Sequence, residues 1–461
     1  MKTLTVTLKQ HTPLIHFQHD QYGATLRASE VKPKLDRFIL TKLGGGNYNV
    51  GCSEAKEKGW LVGKGTHPAL NYKVQIRAKS IDTSISLDED KNTKINKRTG
   101  EYKEIYTTED FPMLLSNMGG KETAQELVNF SYSSKDITLV ITIVTKDISK
   151  DEELYNIVKQ EIVYFIANTN FGQRSTKGFG SFTVAKIDDE EIPWDNNKVY
   201  ENDTKVMRYE VPSKIGIEEI KNVFSVIDFY WKCLKSGINC TKRIDEGGRV
   251  VRKFPERYIK SFLWTYLDRK GKTWEKRTIK NTLHLECIRP SGETTSVNNK
   301  IAFFARAHLG CPINGFTYRI PQGRFETNYK GKRKEKTNTV EVSIKNTNDS
   351  LLQRISSPII FKPVFHEKSG KDVVSVYILY DREQIEALYG ATDTTFIFSA
   401  GKDSCKLPLF INDGNKRFMI DFHDLINEFH KYMNYSFIPR DFNWRNILGE
   451  KKVELKRTVK K

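Results

Sequence analysis

Residues 170–181 run Asn-Phe-Gly-Gln-Arg-Ser-Thr-Lys-Gly-Phe-Gly-Ser. Gly172, Gly178 and Gly180 let a backbone approach a phosphate closely, and Arg174, Ser175 and Lys177 supply donors beside them. Phe171 and Phe179 can pack beneath such a loop or stack on a base. A tight turn needing positive φ at Gly178 and Gly180 is compatible with that role. The spacing is not G-x-G-x-x-G, and the loop follows a helical segment instead of linking a first strand to a helix. It also lacks G-x-x-x-x-G-K-[ST], so dinucleotide-fold and P-loop readings fail. Gly63-Lys64-Gly65-Thr66 echoes a P-loop only superficially.

Working outward, residues 151–167 place Leu154, Ile157, Val158, Ile162, Phe165 and Ile166 on one helical face. Upstream, residues 137–145 (ITLVITIVT) are apolar and β-branched, the pattern of a central strand. Downstream, SFTVAKI predicts another strand. At the chain start, Leu4, Val6 and Leu8 alternate with polar residues over 2–9, and Pro13 ends that strand. Ala28-Ser29-Glu30 predicts a helix start that Pro33 interrupts. Gly44-Gly45-Gly46 opens a weakly patterned stretch. Residues 82–108 are strongly polar and predict an exposed hairpin turning at Thr99-Gly100, projecting from the domain. Strand, helix, glycine-rich loop and strand in this order suit an α+β, ferredoxin-like (RRM-like) domain.

A polar stretch at 189–218 with Pro193 and Pro212 marks a boundary, giving a first domain over 1–205 and a second over 206–461. The grammar then partly restarts. Ile220–Leu234 is helical, and Glu256–Leu267 predicts a second amphipathic helix that leaves Arg257 and Lys260 to face a ligand. Strands are expected at Ile301–Ala305, Val340–Ile344, Ser357–Phe365, Val373–Leu379 and Thr395–Ser399, with a helix over His423–Tyr435.

Composition fits an anionic partner. The 461 residues carry 75 Lys+Arg against 57 Asp+Glu, a formal +18. That excess concerns partners and not fold. Residues 241–290 hold 14 basic and 6 acidic residues, residues 324–336 six and two, and the tail 451–461 is basic again. Interleaved Tyr, Trp and Phe favour a polyanion groove over a merely solvated surface. The 26 Phe, 20 Tyr and 6 Trp support packed cores although hydrophobic residues reach only 38%. The six cysteines form no C-x-x-C pair and read as reduced thiols of a cytoplasmic protein. No signal peptide or membrane-spanning run is expected.

The glycine-rich stretch from Gly172 to Ser181 resembles the signature loop of the RAMP proteins of CRISPR systems. Its Arg-Ser-x-Lys-Gly-Phe-Gly-Ser core is most similar to the first RAMP subunit of the Cmr (type III-B) effector complex. The opening strand with His-Thr-Pro-Leu (11–14) resembles that family's first strand and turn. The segment Leu26 to Arg37 resembles its Arg-x-x-Ser-x-Lys helix. Leu309-Gly310-Cys311-Pro312-Ile313 and the run Arg354 to Pro363 resemble its Leu-Gly-x-Pro and Arg-x-x-Ser-Pro-Leu segments. The turn after Leu14 departs from the pattern, with Ile-His-Phe-Gln where the family has Gly-Gly.

The resemblance implies two tandem ferredoxin-like RAMP domains, with the polar insertion in the first. It implies no catalysis, no cofactor, and a place in a multi-subunit ribonucleoprotein for antiviral defence. There the chain would lie near the 3′ part of the CRISPR RNA and the single-stranded target RNA pairing with it. Carried over by position, the expected RNA contacts are Arg27, Lys32, Gly172, Arg174, Ser175, Lys177, Gly178 and Gly180. Arg257, Lys260, Arg306 and Arg354 are added on charge alone.

Two rival classes stand beside this one. Some RAMP relatives are metal-independent endoribonucleases that process CRISPR RNA, and His11, His16, His19 and Tyr22 near Lys32 offer a general acid or base. No positioned partner for them is visible in the sequence. A docking scaffold would use exposed aromatics such as Trp60, Trp194 and Trp274. His423-Asp424 lacks an upstream histidine partner for a metal site, no Gly-Gly-Asp-Asp run exists, and Asp88-Glu89-Asp90 with Asp110 reads as a solvated acidic run.

Overall fold

The computed structural model describes residues 2–15, 25–63, 68–78, 83–87, 94–95, 102–103, 105–106, 129–132, 137–143, 148–193, 205–210, 217–239, 243–244, 250–252, 258–283, 302–311, 316–327, 333–346, 355–368, 370–390, 394–413, 416–435 and 454–457. Helices and strands are mixed through both halves.

In the first half, β1 (Lys2–Gln10) buries Leu4, Val6 and Leu8 completely, as its period-two pattern requires. After the short β2 (Leu14–Ile15) come α1 (Ala28–Leu43) and α2 (Tyr48–Glu57). Then follow β3 (Tyr72–Ala78), β4 (Thr83–Leu87), β5 (Asn129–Tyr132), β6 (Ile137–Ile143), α3 (Ile148–Asn168) and β7 (Phe182–Ile187). The main sheet has the order β7–β1–β6–β3, extended beyond β7 by the two-residue strand Glu190–Glu191, and every pairing is antiparallel. Numbered by appearance in the chain, its four long strands lie 4-1-3-2. One helix layer, α1 and α3, crosses between first and second and between third and fourth. Val31, Leu35 and Ile39 of α1 and Leu154, Val158, Ile162 and Ile166 of α3 close its core.

The second half repeats the order. β8 (Lys205–Glu210) leads into α4 (Ile217–Trp231), which widens into a π-turn over Lys232–Ser236, and α5 (Phe262–Arg269) follows. A ribbon, β9 (Phe316–Thr327) with β10 (Arg333–Asn346), precedes β11 (Ile359–Lys368) and β12 (Lys371–Tyr380). β13 (Thr395–Ala400), β14 (Asp403–Pro408), α6 (Phe422–Tyr435) and β15 (Glu454–Arg457) complete the chain. β11, β12, β8 and β15 are neighbours in that order and all antiparallel, again 4-1-3-2. A second sheet runs β9–β10–β13–β14.

Several expectations are corrected. Pro33 does not interrupt α1. As the sixth residue of the helix it removes a single bond, to the Ser29 carbonyl, while Val31, Leu35, Ile39 and Leu40 stay buried on the core side. The weakly patterned stretch after Gly44 contains α2, capped by the Asn47 side chain, which accepts from the Asn49 and Val50 amides at 3.0 and 3.3 Å. Gly51 there is a packing residue and not a breaker. A Cβ would lie 1.7 Å from the Leu40 carbonyl oxygen, so only glycine lets α2 cross α1 so closely. The helix expected over 256–267 starts later, at Phe262 behind a Ser261 cap, and Tyr258–Ile259 is strand. Within the polar insertion, Lys94–Ile95 pairs antiparallel with Tyr102–Lys103, as a hairpin demands, and the expected turn at 99–100 lies outside the described residues. β4 of the insertion pairs through β5 with β2, so part of it packs against the domain. Trp60 is fully buried in the first core and offers no docking surface.

Candidate nucleic-acid interface

The glycine-rich loop is built between the two halves. From the first half, the Phe171 amide donates to the Gly180 carbonyl at 2.9 Å, and the Gly180 amide to the Pro13 carbonyl at 2.8 Å. The Gln173 amide donates to the Ile15 carbonyl at 2.9 Å. Glu30, in the first turn of α1, accepts the Gly172 amide at 2.7 Å and also holds Lys34 at 2.8 Å. Gly180 has φ +65°, and a Cβ would stand 1.9 Å from the Phe171 oxygen, so the turn requirement at this position is satisfied by glycine alone.

From the second half, β11 grips the same loop. The Asn170 side-chain amide donates to the Phe361 carbonyl at 2.7 Å, and the Ser181 hydroxyl donates to the Pro363 carbonyl at 2.6 Å. Phe179 leaves the first core altogether and stacks on Phe224 of α4, with centroids 4.1 Å apart. Lys362, completely buried, reaches back to donate to the carbonyls of Ile166, Thr169 and Phe182 at 2.9, 2.8 and 2.7 Å. Burial pulls its pKa well down. Three carbonyl acceptors need three N–H donors, which only the ammonium has, and two of them end α3, where the helix dipole favours a cation.

His11 completes the junction. Its Nδ1 accepts the Phe365 amide at 3.1 Å, so the ring proton sits on Nε2 and is donated to the Thr183 hydroxyl at 2.8 Å. Burial, then the charge of Lys9, holds its pKa well below the ordinary value. His11 is therefore a neutral, fully engaged strap between β7 and β11.

The residues expected to touch RNA divide sharply. Arg27 is the N-terminal flanking residue of α1 and is partly exposed. Arg174 (φ +57°) and Ser175 are partly exposed at the loop's short 3-10 turn. The bond from Gly172 to Glu30 brings these two segments together, with Arg27 three residues before Glu30 and Arg174 two after Gly172. Gly172, Gly178 and Gly180 form the turn itself.

Lys177, by contrast, turns inward. Its side chain is 6% exposed, and its ammonium lies 3.4 Å from the centroid of the Trp231 ring. No hydrogen-bond partner is found for that amine among the described residues. Burial, then Lys235 and Arg174, pulls its pKa well below the lysine range. The expected phosphate donor is thus a packing residue, because the positive φ of Gly178 (+94°) swings the chain toward α4 directly after it. Lys32 is also engaged, at 2.6 Å from buried Asp36, 2.9 Å from the Leu70 carbonyl and over the Tyr72 ring. Arg306 pairs through Nε with Glu275, which is completely buried. Lys260 lies 3.7 Å from the centroid of the Trp264 ring instead of free on a helix face. Arg257, Arg354, His16, His19 and Tyr22 lie outside the described residues.

Sequence reasoning passed over Lys362 and treated His11 as a possible catalyst. The signal for the first was present: a lone lysine inside Ile359-Ile360-Phe361-Lys362-Pro363-Val364-Phe365 must find partners or face water. Among the described residues no group of His, Cys, Asp and Glu is arranged to hold a metal, and no helix is long and apolar enough to cross a membrane.

The family model of the Cmr1 N-terminal domain matches residues 1–238, and that of the Cmr1 C-terminal domain matches residues 258–452. No curated protein matches the chain. Among solved structures it is similar to Cmr1 from Pyrococcus furiosus in its apo form, with 12% identity, 82% of this chain and 88% of that one covered, and a TM-score of 0.35. It is also similar to a chain of the type III-B Cmr-beta complex bound to cognate target RNA and AMPPnP in the presence of ssDNA, with 13% identity, coverage of 83% and 97%, and a TM-score of 0.33. A second structure of Cmr-beta bound to cognate target RNA gives 13% identity, 84% and 99%, and 0.31. Structural likeness at this level carries no argument, whereas the first family match alone spans more than half of the sequence. The chain belongs to the Cmr1 family, the first RAMP subunit of type III-B CRISPR effector complexes.

Proposed function

We propose that this subunit is a non-catalytic RNA-binding part of its effector complex, lying near the 3′ part of the CRISPR RNA and helping to capture target RNA. Its partners are then the CRISPR RNA, single-stranded target RNA and the other subunits. Two tandem ferredoxin-like domains, divided near residue 205, fit the 4-1-3-2 order found in both main sheets. The observation that carries the reading is the junction loop. Hydrogen bonds from both halves hold this loop, with Arg174 in a left-handed backbone conformation, and the bond from Gly172 to Glu30 ties it to the first turn of α1, which Arg27 precedes, so both arginines stand on segments fixed to one another where phosphates could be met. Sequence choice would come from guide–target pairing and not from protein readout.

A non-catalytic role is supported by the state of His11, whose two ring nitrogens are both engaged away from water. The test is binding of labelled single-stranded repeat-containing RNA by the purified chain, with chelator, across a salt series. Arg27→Ala with Arg174→Ala should weaken binding at unchanged melting temperature, and the RNA should stay intact. Specific cleavage lost in His16→Ala or His19→Ala would replace this reading with a processing nuclease.

A further inference from the structure

The first main sheet packs its helices on one face, and its other face carries charge that the junction loop does not use. Leu4, Val6 and Leu8 of β1 and Ile137, Leu139, Ile141 and Ile143 of β6 join the core with α1 and α3, so the alternate residues point away from it. The register sets those residues in rungs. Arg77, Thr138, Thr7 and Lys186 lie side by side across four strands; then come Gln75, Val140 and Thr5, and then Lys73, Thr142 and Thr3. Successive rungs are about 7 Å apart at ordinary strand rise. Lys9, one rung beyond Thr7, stands opposite Thr183. Lys9, Lys73, Gln75 and Arg77 are exposed, and the threonines of β1 and β6 are at least partly so, which leaves this face open to solvent.

The two faces treat their lysines differently. On the helix side, Lys2, Lys42, Lys58 and Lys159 meet the carboxylates of Glu152, Glu161, Glu153 and Asp188 at 2.6, 2.5, 3.1 and 3.2 Å. On the open face, among the described residues, Lys9 and Lys73 have no acid within ion-pair reach, and Arg77 meets the neutral Gln75 side chain at 3.4 Å. Lys186, at the β7 edge, has Glu191 at 3.6 Å. The rungs themselves carry no acidic residue and no aromatic one. RRM-type sheets read single-stranded RNA by stacking its bases on aromatics, which these rungs do not offer. What they offer is hydroxyls set among cations, the groups that contact phosphate and sugar.

We infer that the open face of the first sheet holds single-stranded RNA by its phosphate backbone, with the bases turned away from the protein. Arg77, Lys73 and Lys9 take phosphates, and the threonine hydroxyls between them donate to phosphate oxygens or to the ribose 2′-hydroxyl. The inference rests on the RNA-binding reading above and extends it to a second surface and a mode of grip. A strand held this way keeps its Watson–Crick edges free to pair, as a guide strand requires. An acidic protein segment is the competing partner. The face favours RNA, because a protein interface centres on apolar and aromatic side chains and the three rungs have only Val140 to give one.

The experiment uses the full chain with chelator and titrates labelled oligouridine and oligocytidine by anisotropy over a salt series. Lys73→Ala with Arg77→Ala removes two exposed phosphate contacts. The slope of log affinity against log salt should flatten by about 1.4, and affinity at about 0.15 M salt should fall on the order of tenfold, alike for both RNAs. Gln75→Lys adds a cation between them and should tighten binding and steepen the slope, an outcome that misfolding cannot mimic. Ser53→Lys adds the same charge at an exposed position of α2, on the helix side, and should change neither. If the double variant does not fold, the two added lysines decide. Wild-type affinity in both the double variant and Gln75→Lys overturns the sheet contact and leaves the subunit reading standing. Equal tightening by Gln75→Lys and Ser53→Lys reduces the effect to overall charge and overturns it too. A loss confined to one of the two RNAs overturns the backbone grip. No RNA binding by the wild type overturns both readings. Unchanged RNA affinity with failed assembly of the double variant onto the other subunits assigns the face to a protein partner and overturns the RNA contact.

Discussion

Replacing Lys362 with methionine removes three hydrogen bonds at one stroke, those to the carbonyls of Ile166, Thr169 and Phe182. Each bond to a charged donor contributes about 1.5–3 kcal/mol, so the gross loss is roughly 5–9 kcal/mol. The methionine no longer carries a buried ammonium, whose desolvation costs several kcal/mol, and the volume is nearly conserved. The net expectation is a destabilisation of about 3 kcal/mol. Because the lysine sits on β11 and its acceptors lie in α3, the start of the glycine-rich loop and β7, the loss should loosen one half from the other. Urea denaturation followed by tryptophan fluorescence is the assay. The wild type should unfold with its halves coupled, and Lys362→Met should show a lowered midpoint with a broadened or split transition. A variant within about 0.5 kcal/mol of wild type, or above it, would refute the reasoning, since methionine would then satisfy the site as well as the ammonium does.

Three further outcomes are expected. Arg174→Gly should raise stability by about 1 kcal/mol by relieving the left-handed conformation at φ +57°, while RNA affinity falls, so that melting temperature and binding move in opposite directions. Lys177→Met should leave RNA affinity unchanged and match or exceed wild-type stability, because it replaces a buried amine for which no hydrogen-bond partner is found among the described residues; a loss beyond about 2 kcal/mol would show that the stacking on Trp231 outweighs that burial. His308, whose Nε2 donates to the Leu409 carbonyl, is pulled by burial down to about 4, so the unfolded chain takes up its proton first as pH falls. Its contribution is complete above pH 6.5 and is lost between there and pH 4, about 2 kcal/mol of it by pH 5; urea midpoints should show that slope and lose it in His308→Gln.

In the first half, β1, β6, α3 and β7 were legible one by one because their patterns are clean, as in the alternation of Leu4, Val6 and Leu8 and the apolar stripe of α3, although β1 pairs with β6 and β7 across more than a hundred residues. α2 was hidden because Gly44 to Gly46 and Gly51 look like breakers, and a close helix crossing leaves no other trace in one sequence. The second main sheet was not legible in order. β8 pairs with β12 some 170 residues later and with β15 some 250 residues later, and no local signal spans such gaps. β15 is itself written in the basic tail, where charge masks strand pattern. At the site, the loop was found by its glycines, but the direction of Lys177 depends on where Gly178 sends the chain and on a tryptophan more than fifty residues away. Residue type told which groups carry charge and not which of them face water.

The shared loop also has a timetable. The glycine-rich segment is complete at Ser181, but the strand that grips it, β11, begins at Ile359, roughly 180 residues later. At ordinary synthesis rates of about 5–20 residues per second, that interval lasts on the order of 10–40 s. Throughout it Phe179 has no Phe224 to stack on until α4 is made, the Asn170 amide has no Phe361 carbonyl, and the end of α3 lacks its lysine. The nascent first half therefore waits with bare carbonyls on one side, its Phe179 covered only once α4 is made, and only the arrival of β11 seals the junction.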